Sequence, residues 1–180
     1  QDIIMVSDSL PFMLASLSTA VYMRIDQLAL RALSRPHELG LYSAILPFSQ
    51  AWQVIPMVIY ASVLPYFSLL KERNPGLYKH RMLQLFSVML WLGVLVASST
   101  AVVAPWLVSG LLGTAYADSV SVLRWHVFMN VFIFLGVAQS VAIVSDGTSR
   151  IALLRTVFGA LVGLGLNFLL IPTWGAIGAA

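Results

Sequence analysis

Residues 39–70 contain no Asp, Glu, Lys or Arg. One bilayer crossing needs only about 20 consecutive apolar residues. A run this long and this uncharged belongs in lipid, where every backbone N–H and C=O must be satisfied within the protein and a helix is the simplest solution. The rest of the chain agrees. Of 180 residues, 9% are charged and 59% hydrophobic, with a mean hydropathy of +0.90. Soluble domains carry about 25% charged residues. The composition excludes a soluble globular domain and a disordered chain. A net charge of +3 gives too little basic surface for a nucleic-acid partner. The absence of cysteine excludes disulfides, zinc thiolates and cysteine catalysis. The chain starts at Gln1 and ends in the apolar run 174–180, which reads as a piece of a longer membrane protein.

The expected fold is therefore all-α, a polytopic transmembrane helix bundle. Helices are expected over 9–33, 38–70, 82–103, 119–145 and 150–171, with a sixth starting at Trp174. Pro47, Pro56 and Pro65 each remove a backbone donor and predict kinks in the second helix. Pro105 falls just past the third helix, and Pro172 is expected to stop the fifth. The polar segment 71–81 (KERNPGLYKHR) joins the second and third helices. The apolar segment 104–118 predicts an interfacial connection with Trp106 and Tyr116 at headgroup level. Alternate connections sort the cations into two sets. Lys71, Arg73, Lys79, Arg81, Arg150 and Arg155 fall on one side, and Arg31, Arg35 and Arg124 on the other. The positive-inside bias makes the first set cytoplasmic.

Polar side chains inside these helices are the candidate site. Arg24 and Asp26 follow an uncharged run over 10–23. Each charge costs about 2.5–3.5 kcal/mol near a helix centre, so each needs a partner or a wet cavity. They sit about 200° apart on a helical wheel and do not pair directly. Asp26, Thr19, Ser16, Gln27, Arg31 and Arg24 share one arc, opposite Leu14, Leu17, Val21 and Leu28. This is the pattern of a helix lining a polar interior, with interfacial snorkelling of Arg24 as the alternative. On the second helix Tyr42, Ser43, Ser49, Gln50, Gln53 and Tyr60 share an arc of about 120°. It suits either a cavity wall with amides for sugar hydroxyls or interhelical hydrogen bonding. His126 and Asn130, one turn apart, read as hydrogen-bonded structure. Gly159 and Gly163 on the fifth helix read as a close-packing ridge with Ala152, Thr156 and Asn167. There is no Walker loop, HExxH, GxSxG or carboxylate pair at metal spacing, so no enzyme activity and no cofactor are expected.

Several segments resemble one family. Arg24-Ile25-Asp26-Gln27-Leu28-Ala29-Leu30 is followed by Glu38-Leu39-Gly40-Leu41-Tyr42-Ser43-Ala44, then Ile55-Pro56 and Ser62-Val63-Leu64-Pro65. Later come Leu111-Leu112-Gly113-Thr114-Ala115-Tyr116-Ala117-Asp118-Ser119 and Ile171-Pro172-Thr173-Trp174-Gly175-Ala176-Ile177-Gly178-Ala179-Ala180. In order and spacing these resemble the polysaccharide-transporter family, the O-antigen and exopolysaccharide flippases of the multidrug/oligosaccharidyl-lipid/polysaccharide exporter superfamily. Pro47 departs from that pattern.

The resemblance implies a two-lobe transporter, of which this chain would be the start of the second lobe. It implies translocation of an undecaprenyl-diphosphate-linked oligosaccharide across the bacterial cytoplasmic (inner) membrane by alternating access. H+ or Na+ would be the candidate coupling ion. Membrane lipid, the lipid-linked oligosaccharide and polysaccharide polymerase machinery would be the partners. Arg24 and Arg31 would face the diphosphate, because arginine offers a bidentate fork to phosphate oxygens. Asp26, Gln27, Gln50 and Gln53 would complete the substrate cavity. The alternatives are a cation-coupled drug exporter of the same superfamily, a membrane-embedded glycosyl- or acyltransferase, and a passive scaffold subunit.

Overall fold

The computed structural model describes residues 25–32, 36–147 and 149–179. Every regular element among them is helical. The helices are α1 (Ile25–Ala32), α2 (Pro36–Gln50), α3 (Val54–Arg73), α4 (Pro75–Leu111), α5 (Ser119–His126), α6 (Met129–Asp146), α7 (Ser149–Trp174) and α8 (Ala176–Ala179). Short 3-10 turns cover Ala51–Gln53 and Thr114–Tyr116. The helix expected over 9–33 is described only as α1; its residues 9–24, Arg24 among them, lie outside the described residues.

Among the described residues three stretches are long and apolar enough to cross a membrane: Pro36–Arg73, Pro75–Leu111 and Ser119–Asp146, with mean hydropathies of 1.6, 2.0 and 2.2. Large apolar side chains such as Trp91, Phe132 and Phe158 project outwards from the bundle. In water that surface would be a liability; in lipid it is the correct exterior. The protein is a multi-pass membrane protein. A helix of 37 residues is about 56 Å long, well beyond a hydrocarbon core of about 30 Å, so α4 tilts or continues past the bilayer.

The helices exceed their expected bounds for identifiable reasons. The polar segment 71–81 does not form a loop, because Lys, Glu, Arg, Leu and Tyr propagate a helix as readily in water as in lipid. Only Asn74 interrupts it. Pro75 at N1 disfavours helical geometry at the preceding residue, and the Asn74 side chain accepts the Leu77 N–H at 3.0 Å as an N-cap. At the other end Pro105 lies inside α4 rather than after it. A proline leaves the carbonyl four residues earlier without its helical donor. That carbonyl, on Ala101, accepts from Arg124 Nε of α5 at 3.2 Å, so the helix runs on to Leu111. The connection expected over 104–118 shrinks accordingly, and Gly113 at φ 86° makes the turn. In α7 Pro172 likewise fails to stop the helix, which turns at Gly175 (φ 59°). α8 then starts at Ala176, whose N–H is accepted by Glu38 Oε2 at 2.8 Å.

The second helix keeps its α-helical register through Pro47 and Pro65. Its register breaks at the 3-10 turn Ala51–Gln53, and Pro56 falls in the first turn of α3 that follows. The helix expected over 119–145 is also broken, at Val127–Phe128. There Phe128, Asn130 and Val131 donate to carbonyls three residues back, at 3.0–3.2 Å, which is the tighter 3-10 spacing.

One end of the expected glycine ridge, Gly163, stands in open space among the described residues. A Cβ on Gly163 would meet nothing within 4 Å among the described residues. Gly93 of α4 is a tight crossing: a Cβ there would lie 2.9 Å from the Val131 Cα and 3.4 Å from the Phe134 Cβ of α6. At one end of the bundle Lys71 pairs with Asp146, and the Tyr78 hydroxyl donates to the same carboxylate oxygen at 3.0 Å. The connection at Asn74 and the one at Gly147 therefore share one end. This is the end that carries Lys71, Arg73, Lys79 and Arg81. With that end cytoplasmic, an Asn74→Cys variant in intact cells is expected to resist a membrane-impermeant thiol reagent and to react after permeabilisation. Labelling from outside would invert the orientation.

Candidate functional site

Buried polar groups in an apolar bundle are expensive unless hydrogen-bonded. In this chain they collect where α2 and α5 end. Tyr42 and Ser49 are seven residues apart and share one side of α2; both are fully buried. His126 closes α5 and Asn130 opens α6, and both are also fully buried. His126 Nδ1 lies 2.8 Å from Ser49 Oγ. With that nitrogen unprotonated, the Ser49 hydroxyl donates to it. Asn130 Nδ2 donates to the Ser49 carbonyl at 3.1 Å and reaches Ser49 Oγ at 3.3 Å. The Asn130 Oδ1 atom has no hydrogen-bond partner among the described residues. The Tyr42 ring stands edge-on to His126, with centroids 5.4 Å apart. Its hydroxyl donates to Asp26 Oδ2 of α1. Asp26 and Tyr42 thus form one hydrogen-bonded pair, which the ring contact with His126 sets beside the His126–Ser49–Asn130 cluster.

The polar arc expected on the second helix divides along its two edges. Tyr42 and Ser49 turn inwards and act as interhelical hydrogen-bonding groups. Ser43 and Gln50 face outwards, and Gln53 is half-buried. Gln50 and Gln53 line an open groove of about 400 Å³ with Val54, Met57, Val58 and Ala61. Two carboxamides therefore sit at one end of an apolar wall, on the opposite side of the 3-10 turn from the buried cluster.

Of the residues singled out in the sequence, Gln50 and Gln53 are brought together in this groove. Asp26 is half-buried against Tyr42, and Gln27 beside it is half-buried. Arg31 is exposed in the last turn of α1, where a cation suits the helix dipole. Asp26, Gln27 and Arg31 are not among the groove residues. Arg24 lies outside the described residues. His126 and Asn130 are hydrogen-bonded structure, as their spacing suggests. What the sequence did not offer was their partner: Ser49 is one serine among many, and only its seven-residue spacing from Tyr42 marks it. Among the described residues no group of three or more His, Cys, Asp or Glu could hold a metal ion.

No protein-family model, no curated protein and no solved structure matches the chain.

Proposed function

We propose that the chain forms part of a transporter that moves an undecaprenyl-diphosphate-linked oligosaccharide across the bacterial cytoplasmic membrane. The observation that carries this reading is the Gln50–Gln53 groove. Its carboxamides offer both donors and acceptors, which suits sugar hydroxyls. The adjoining Val54, Met57 and Val58 suit a hydrocarbon chain. A ligand that is polar at one end and apolar at the other fits that combination; a small, wholly polar solute does not. The motif resemblance over residues 24–65 and 111–180 supports the same class. The diphosphate falls to Arg24 in this reading, and polysaccharide polymerase machinery is the downstream partner.

The test is complementation of surface polysaccharide in a flippase-deleted strain, normalised to membrane protein level. Gln50→Ala combined with Gln53→Ala is expected to reduce polysaccharide about tenfold, corresponding to the loss of one or two net hydrogen bonds of about 1 kcal/mol each. Both side chains are at the surface of the groove, so folding should survive. Undiminished polysaccharide in the double variant would remove the groove from the transport path.

A second reading, a cation-coupled exporter, is favoured by one observation: the half-buried Asp26 carboxylate accepts from the Tyr42 hydroxyl, its described donor. Transport of a cationic dye that collapses with the ion gradient, in vesicles without lipid-linked sugar, would favour that reading over the first.

A further inference from the structure

The apolar interior is not one core but two. The first contains Leu30, Tyr42, Ile45, Leu46, Ala104, Val108 and Leu123, with Ile171 and Ala176. The second contains Phe67, Met82, Leu85, Met89, Val96, Phe134, Ala138 and Val141. Their order along the chain is the informative part. Three helical stretches pass through both. Along Pro36–Arg73 the first core ends with Leu46 and half-buried Phe48, and the second begins with half-buried Ile59 and Tyr60 and takes in Phe67. Along α4 the second core ends at Val96 and the first begins at Ala104. Along Ser119–Asp146 the first ends at Leu123 and the second begins at Phe134.

The buried residues that separate the cores are Ser49, Thr100, His126 and Asn130, together with Pro56, Ala97 and Val127. This layer is mostly polar, and Thr100 Oγ1 and Asn130 Oδ1 have no hydrogen-bond partner among the described residues. Two of the three stretches lose their α-helical register at this same layer. One breaks at Ala51–Gln53, two residues after Ser49; the other at Val127–Phe128, directly after His126. The side chains that hold the breaks together are the ones in the layer, since Asn130 donates to the Ser49 carbonyl and His126 meets the Ser49 hydroxyl. Only α4 passes through unbroken. Irregular backbone at membrane depth is tolerated where it is buried in protein, and packed cores tend to move as units rather than deform.

We propose that this layer is a hinge. The half built on α1, α2 and α5 moves against the half built on α3 and α6, with unbroken α4 as the strut along which both pack. The Ser49–His126–Asn130 cluster is the clamp that sets the bend. With Thr100 Oγ1 and Asn130 Oδ1 open to partners, the hydrogen bonds of this layer can be exchanged at little cost, whereas interlocked Leu and Phe side chains cannot rearrange. The hinge is independent of what the protein carries, because it rests on packing and backbone register alone.

The chain has no cysteine, so paired spin labels can be placed at will in the full chain reconstituted in lipid. Ser43→Cys with Leu69→Cys brackets the Ala51–Gln53 break; a straight helix would separate these positions by about 39 Å. Leu83→Cys with Val103→Cys brackets the same layer on unbroken α4. All four positions are exposed. The first pair is expected to give a distance shorter than the straight-helix value and a broad distribution, and the second a single narrow one. Ser49→Ala and Asn130→Leu are each expected to shift or broaden the first distribution and leave the second unchanged. If Asn130→Leu yields no folded protein, Ser49→Ala, which deletes one hydroxyl, decides alone. A first distribution as narrow as the second, or one that the clamp variants do not move, overturns the hinge.

Discussion

Gly93→Leu is expected to leave little folded protein in the membrane, and Gly93→Ala to lower the thermal midpoint in detergent. The cause is backbone contact. An added Cβ would stand 2.9 Å from the Val131 Cα and 3.6 Å from the Asn130 carbonyl oxygen. Backbone atoms cannot rotate away as a flexible side chain can, so α4 and α6 must separate. Overpacking of this kind costs about 1–3 kcal/mol for small additions, and in a membrane there is little compensating hydrophobic drive between helices. Separation would also unseat Asn130 from Ser49, because Asn130 and Val131 are adjacent. Gly110→Ala is the control: nothing lies within 4 Å of that site, and the change is expected to be neutral or slightly stabilising through helix propensity. Equal thermal midpoints for Gly93→Ala and Gly110→Ala would show that α4 and α6 do not meet at Gly93.

That crossing also marks what the sequence can and cannot say. The long apolar runs and the Asn74-Pro75 interruption are local signals, so the membrane class and the helical fold were legible. The glycine contact was not. Gly159 and Gly163 have the spacing associated with close packing, yet no described residue lies near Gly163; Gly93, with Ala97 four residues on, has the same small-residue spacing and does make the contact. Whether a glycine touches another helix depends on a partner far along the chain. The same holds for proline. Pro47, Pro56, Pro65 and Pro105 look alike in sequence, which does not say what receives each freed carbonyl. For Pro105 it is Arg124, nineteen residues away in the sequence and invisible to any local pattern. The candidate site divides similarly. Gln50 and Gln53 were readable because three residues of helix place them on one side. The pairing of Asp26 with Tyr42 crosses a connection and needed the fold.

Arg24→Ala is expected to abolish transport at normal protein level, and Arg24→Lys to weaken it. Arg24 follows a long uncharged run, so its insertion has an energetic cost of a few kcal/mol that a lipid-facing role would not repay. A diphosphate is the natural counter-group for a guanidinium, which donates two parallel hydrogen bonds where an ammonium acts as a point charge. Losing one charged hydrogen bond of about 1.5–3 kcal/mol corresponds to about tenfold or more in affinity, which sets the expected deficit of the lysine variant. Asp26 cannot bind phosphate, and its described partner is the Tyr42 hydroxyl. Asp26→Asn keeps the shape and removes the charge, while Tyr42→Phe removes only the donor. A carboxylate used in transport predicts lost transport at normal yield for Asp26→Asn, with Tyr42→Phe largely active. A purely structural Asp26 predicts that both variants lose protein in step with transport. The readout is surface polysaccharide in a flippase-deleted strain, divided by membrane protein level. Full complementation by Arg24→Ala at normal expression would leave the proposed substrate without a cationic anchor in this chain, and the diphosphate reading would then have to be abandoned in favour of an uncharged amphiphile.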